Sequence, residues 1–284
     1  MRFLITTLIW LITVHSVFAQ NFSAYRVFNS QGKKSSFKKF LKTAAKSDVV
    51  FFGELHNNPI SHWLQLQTVK ELSKQKPLIL GAEMFEADNQ EQINLFLEGK
   101  INADSLEKTA RLWSNFKTDY YPLLQFAKEH KYPFIATNVP RRYASMTYKQ
   151  GFEVLDSLPD EEKKWIAPLP ITYDETLPTY QKMKEMMPGH GGENLPKAQA
   201  VKDATMAYFI AKNFEEGKIF VHFNGSYHSD YKEGIVWYLK KRLPDAEIIT
   251  ITTVLQEDIK KLEEEHKNKA DFIIVVPEDM TTTY

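Results

Sequence analysis

In "DVVFFGELHNNP", Asp48 to Pro59, an unbroken apolar run ends in a glycine, and a glutamate and an imidazole follow within four residues. Continuous rather than alternating hydrophobicity marks a strand buried on both faces, the pattern of a parallel sheet covered by helices. Five further runs repeat it: "PLILGAEMF" (Pro77 to Phe85), "YPFIATNV" (Tyr132 to Val139), "GKIFVHFNG" (Gly217 to Gly225), "AEIITITTV" (Ala246 to Val254) and "DFIIVV" (Asp271 to Val276). The stretches between them are long enough for helical crossovers, so the fold class is α/β with a mostly parallel sheet.

Helical spacing of apolar residues is readable at Ser61 to Ser73, Asp88 to Leu97, Tyr121 to His130 and Ala198 to Phe214, and these stripes read as core packing. Between Ser157 and Pro196 the pattern breaks: six of the thirteen prolines and a "PGHGG" cluster fall here. Trp165, Ile166, Leu169, Ile171 and several methionines in this segment need cover, so residues 157–196 read as an insertion forming a helical and loop lid, with a helix at Tyr180 to Met187. The charge run Glu257 to Lys269 reads as a solvated helix face.

At 284 residues, 43% of them hydrophobic, the chain can bury the core of one large domain, placed at residues 20–284. Thirty-six basic residues balance thirty-six acidic ones, which favours neither nucleic acid nor an anionic membrane as partner. The opening "MRFLITTLIWLITVHSVFAQ" has Arg2, a short apolar run and Ala19 at a cleavage position, so residues 1–19 read as a secretory signal peptide and the mature protein as periplasmic, without stable membrane insertion. Cysteine is absent, which excludes disulfides, thiolate metal sites and cysteine nucleophiles.

Four of the strands end in polar groups: Glu54 and His56, Glu83, Asn138 with Arg141 and Arg142, and Asn224 with His228. In an open parallel sheet the carboxyl ends share one edge, where ligands bind. His56, Glu83 and His228 are suitable ligands for a divalent metal. Equally, His56 suits metal-free hydrolysis as a general base, with a glutamate orienting it and Arg141 holding an anionic group. No HExxH, Walker, GxGxxG or GxSxG signature is present, which lowers nucleotide and serine-hydrolase readings.

Five ordered stretches, "GELHNNPISHWLQ", "GAEMFEADNQ", "YYPLLQFAKEHKYPFIATNVPRR", "QAVKDATMAYFI" and "FNGSYHSDYKEGI", resemble the ChaN-like family, in the haem-binding uptake group of the Tiki superfamily. Erythromycin esterases and Tiki/TraB proteases are its more distant relatives. The resemblance implies a three-layer α/β/α fold, an iron-linked role, and haem bound between two protomers with tyrosine on iron and histidine near the propionates. Its Gly-to-His motif falls on Gly53 and His56, its second acid on Glu83 and its late histidine on His228. Tyr173, Tyr180 and His190 of the insertion are the chemically suitable residues to touch haem, since phenolate and imidazole both ligate its iron.

Two functions follow as expectations. One is an exported, homodimeric haem-binding protein of iron or haem uptake, its ligand at the sheet rim beneath the lid; the other is a hydrolase built on Glu54, His56, Glu83 and His228.

Overall fold

A computed structural model describes residues 23–186 and 192–284. The signal stretch, Met187 and His190 lie outside the described residues. Seven strands are found among these: β1 (Arg26–Asn29), β2 (Val49–Glu54), β3 (Leu78–Glu86), β4 (Phe134–Asn138), β5 (Ile219–Gly225), β6 (Ile248–Gln256) and β7 (Phe272–Pro277). They form one sheet in the order β1-β7-β6-β2-β5-β3-β4, parallel except for the edge strand β1 against β7.

The helices are α1 (Phe37–Ala44), α2 (Pro59–Leu72), α3 (Gln90–Leu97), α4 (Ala103–Thr109), α5 (Tyr121–His130), α6 (Arg141–Gln150), α7 (Asp160–Lys163), α8 (Pro178–Met186), α9 (Leu195–Asn213) and α10 (Ile235–Arg242). Because strand side chains alternate between faces, β2 sends Val50 and Phe52 into one core and Val49 and Phe51 into another. The first core takes Phe40 of α1, Leu64 of α2, Phe96 of α3 and Leu124 of α5; the second takes Tyr143 of α6, Tyr180 of α8, Val201 of α9 and Leu239 of α10. The sheet is thus the middle of three layers, and both of its faces are dry. That is why its strands read as unbroken apolar runs.

The insertion covers the second core: Ile166, Ala167, Ile171, Tyr180 and Met183 are buried in it. Two sequence expectations are corrected. The run Glu257 to Lys269 is a loop with one 3-10 turn at Glu264–His266, pinned where Gln256 donates to the carbonyls of Asp258 and Lys261. A glycine where the apolar run ends reads in the sequence as the place for a sharp turn, but Gly53 sits inside β2 opposite Asn224 and Thr252, where an added Cβ would lie 3.0 Å from Thr252 Oγ1 and 3.1 Å from Ser226 Cα. It is glycine for closeness, not for turning.

Candidate functional site

Glu54, the last residue of β2, is fully buried and carries the first half of the site. Its carboxylate accepts from His56 Nδ1 at 2.9 Å, Tyr120 hydroxyl at 2.8 Å and Gln65 Nε2 at 2.5 Å. A tight turn closed by the Asn58 amide on the Leu55 carbonyl presents His56, and Asn58 then caps α2 by accepting from the Ser61 amide, with Pro59 at the first helical position. The His56 carbonyl is held by Asn115 Nδ2 at 2.9 Å and His62 Nε2 at 3.0 Å. Burial pushes the Glu54 carboxyl up, but the His56 hydrogen bond and the imidazoles of His62 and His56 outweigh it, leaving the group below its ordinary range. Burial pulls the His56 imidazole down, yet its bond to Glu54 and the charge of Glu83 hold it above its usual value. With Nδ1 committed to Glu54, His56 Nε2 is the ring nitrogen left to face a ligand.

The second half is built on β3 and β5. The pairing of β3 with β4 shifts register between Ala82 and Glu86, and this irregularity contains Glu83. Glu83 accepts from the Gly225 amide at 2.7 Å, and its other oxygen meets His228 Nε2 at 3.1 Å. His228 Nδ1 meets Asp203 of α9 at 2.5 Å, and Asp203 accepts from the Tyr180 hydroxyl at 2.9 Å. All four side chains are buried. Burial disfavours charge on His228, but Glu83 and Asp203 on either side raise its imidazole to about 9, so it is an imidazolium at neutral pH. Burial would raise the Glu83 carboxyl as well, but that imidazolium holds it well below the carboxylate range. The Asp203 carboxyl is raised, its burial outweighing the pull of His228.

The two halves meet at Gly225. A Cβ there would lie 2.7 Å from His56 Nε2, 2.9 Å from its Cε1 and 3.4 Å from Glu83 Oε2. Gly225→Ala should still fold, at a cost of about 1 kcal/mol, because what it meets is the movable ring of a half-buried side chain. It should also swing that ring off Glu54, and loss of the His56 Nδ1 proton resonance by NMR checks this.

Together they line a cavity of about 670 Å³ at the carboxyl edge of the sheet. The structure brings Glu54, His56, Glu83, Asn138, Arg141 and His228 to it, along with Trp113, Met183, Lys202, Tyr227 and Tyr284. Arg142 turns away to pair with Asp88 at 2.7 Å and lies over the rings of Tyr143 and Trp165. Tyr180 is fully enclosed with its hydroxyl on Asp203, and Tyr173 stacks on it at 5.6 Å, so neither ring lines the cavity. His56, Glu83 and His228 do not close into a metal-ligating trio. Among the described residues only Glu263, Glu265 and His266 bring three such groups within 4.8 Å of one another. Both His228 nitrogens are already occupied by carboxylates.

Sequence reasoning passed over Gln65, Tyr120, Asp203, Gln199 and Tyr227. Gln199 and Asp203 stand four apart on α9, so they share a helix face, and the Gln199 amide lies 2.9 Å from His228 Nδ1. Two polar residues at that spacing on a buried face were a usable signal. Tyr227 adjoins His228 in a 3-10 turn, Ser226–His228, that buries the histidine and leaves Tyr227 47% exposed on the cavity wall.

The family profile described as haem-binding uptake, Tiki superfamily, ChaN matches residues 40–239. The chain belongs to the ChaN family. The fold of this ChaN-family chain is shared with the ChaN of Campylobacter jejuni, a structure of cofacial haem binding, at a TM-score of 0.65 and 17% identity over 89% of this chain and 96% of that one. A Bacillus cereus protein is similar at a TM-score of 0.51 and 12% identity, over 89% of this chain and 95% of that one. The chloroplastic protein RETICULATA-RELATED 5 of Arabidopsis thaliana is 22% identical over 203 residues, 64% of this chain; the chain spans only 27% of that relative.

Proposed function

We propose that this protein binds haem, or a closely related porphyrin, in the cavity at the sheet rim and serves haem or iron uptake. Membership of a haem-binding family supports the ligand class. The observation that carries the reading is the donor set around one cavity of about 670 Å³: an exposed phenol at Tyr227, an imidazole at His56, and the cations Arg141 and Lys202.

These residues fit the group. Phenolate and imidazole are both iron ligands, and the cations suit propionate carboxylates. Trp113, Met183, Val139 and Leu55 supply apolar wall, and the buried Asn138 Oδ1, without a hydrogen-bond partner, offers an acceptor at the same wall. When bound, the iron supplies the ligation and redox chemistry; the chain's part is to seat the porphyrin, and Tyr227 is the residue best placed to hold the metal. His56, fixed by Glu54, is placed to donate or accept a proton beside it. The signal-like pattern of the sequence at residues 1–19 supports export to the periplasm, and the cofacial haem binding of the Campylobacter jejuni relative supports a homodimer. No helix among the described residues is long and apolar enough to cross a membrane.

Haemin titrated into purified protein should shift the Soret band and saturate at a fixed stoichiometry, with Arg141→Ala binding about tenfold more weakly if the cation meets a carboxylate. An unchanged free-haemin spectrum at micromolar protein rejects the reading.

A second reading rests on the Glu54–His56 dyad, whose free Nε2 faces the same cavity beside Glu83. That geometry suits metal-free ester or amide hydrolysis, with His56 activating water. Turnover in a substrate panel that His56→Ala abolishes would support it.

A further inference from the structure

The segment after β7 does not stop at the sheet. β7 lies next to β6, and β6 next to β2, so a chain leaving the carboxyl end of β7 must pass the ends of both to reach the cavity. Residues 278–284 take that path. The Glu278 amide donates to the Gln256 carbonyl at the end of β6, and Met280 packs against the first core. The Thr283 amide then donates to the Asn57 carbonyl at 3.0 Å, one residue past His56, and its hydroxyl donates to Asp119 at 2.8 Å.

Asp119 is buried and already serves the His56 turn: it accepts from Asn115 Nδ2 at 2.7 Å, and the same amide holds the His56 carbonyl. His62 Nε2 lies 3.4 Å from it. Thr283 therefore fastens the segment to the groups that position His56. Tyr284 is thereby delivered to the cavity, where it is 62% exposed, sharing the lining with Trp113 and Tyr227. It lies beyond the residues the family profile matches, which end at 239. A long, exposed aromatic ring at the mouth of a cavity buries little on its own; its apolar face is unspent until something flat lies against it.

We propose that residues 278–284 form a strap that completes the binding cavity, with Tyr284 stacking on the face of the bound planar ligand and Thr283 latching it there. This role rests on the haem reading above. The strap is a wall contributed by this chain in addition to the strand-end groups, and it ties ligand retention to the His56 turn.

Haem release into an excess of a haem-scavenging acceptor protein tests it. Tyr284→Ala should release haem roughly three- to tenfold faster than wild type, the range of one aromatic stacking contact, and Tyr284→Phe should match wild type because the ring rather than the hydroxyl is used. Thr283→Val, which keeps the ring but loosens the latch, should fall between them. Far-UV circular dichroism should be unchanged in all three. Fluorescence titration with metal-free protoporphyrin should show the same loss for Tyr284→Ala, since stacking needs no iron. Equal release from wild type and Tyr284→Ala, a Phe variant as fast as Ala, or an effect that vanishes with the metal-free probe each overturns the strap's role while leaving haem binding intact. A wild-type protein with no Soret shift overturns the haem reading itself and the strap's role with it.

Discussion

His228→Ala should destabilise the fold by about 3–5 kcal/mol, the cost of breaking a buried ion pair by removing one partner. The imidazolium lies between Glu83 and Asp203, at 3.1 and 2.5 Å. Without it two buried carboxylates face each other with the Gly225 amide and the Tyr180 hydroxyl as remaining partners, and one of them has to take up a proton. A loss of that size lowers the melting temperature by about 10 °C in a domain of this length.

The pH dependence has a definite sign. In the folded protein the His228 imidazole titrates at about 9, against an ordinary value near 6.5 in the unfolded chain. The native state therefore holds a proton that the unfolded state gives up. The stabilisation is complete below about pH 6.5 and is lost as pH rises through about 9. The raised Asp203 carboxyl acts in the same sense, contributing stability at lower pH and losing it as pH rises. Urea unfolding between pH 6.5 and 9.5 should show wild-type stability falling, with a clearly smaller slope in His228→Ala, where the raised His56 imidazole still contributes its share. An equal slope in both proteins would show that His228 is neutral in the folded state.

The strands that became the middle of the sheet were legible because both of their faces are covered. Val49 to Phe52 has no polar position to interrupt it, and burial on both faces demands that. β1 escaped because a four-residue edge strand with Val27 and Phe28 alone buried carries too short a pattern to distinguish from a loop. The strand-end logic pointed to Glu54, His56, Glu83, Asn138, Arg141, Arg142, Asn224 and His228; six of these eight line the cavity, while Arg142 pairs with Asp88 and the buried Asn224 donates to the Gly225 carbonyl and the Ser229 hydroxyl instead. What it could not reach were groups delivered from the middle of helices. Gln65 and Asp203 sit on α2 and α9 among apolar neighbours, and only the docking of those helices on the sheet turns them towards Glu54 and His228. The insertion reads in the sequence as a cover, which makes its tyrosines the expected ligand contacts. There Tyr180 became a core residue hydrogen-bonded to Asp203, while Tyr227, one position from a histidine already singled out, stayed at the surface. A 3-10 turn has three residues per turn, so adjacent side chains diverge by about 120°, and His228 and Tyr227 point to opposite fates for that reason.

That divergence supports the second large effect. Tyr227→Phe should weaken haemin binding by at least about 10–100-fold and change the absorption spectrum. Removing even a partner that merely supports a metal ligand costs that much, and removing the ligand itself costs no less. The substitution deletes one oxygen from a ring that is 47% exposed, so it leaves the packing alone, and the stability change should stay within about 0.5 kcal/mol. Tyr231→Phe is the matched control: that ring is similarly exposed, at 44%, and four residues away, yet it does not line the cavity. A ring-face contact would survive the Tyr227 change, because phenylalanine keeps the face; a bond to iron would not. If Tyr227→Phe binds haemin with the wild-type spectrum and affinity, the iron is held elsewhere, and His56, whose Nε2 faces the same cavity, becomes the residue to change next. If the spectrum changes while metal-free protoporphyrin still binds as tightly as before, the phenolate holds the metal and the apolar walls hold the ring.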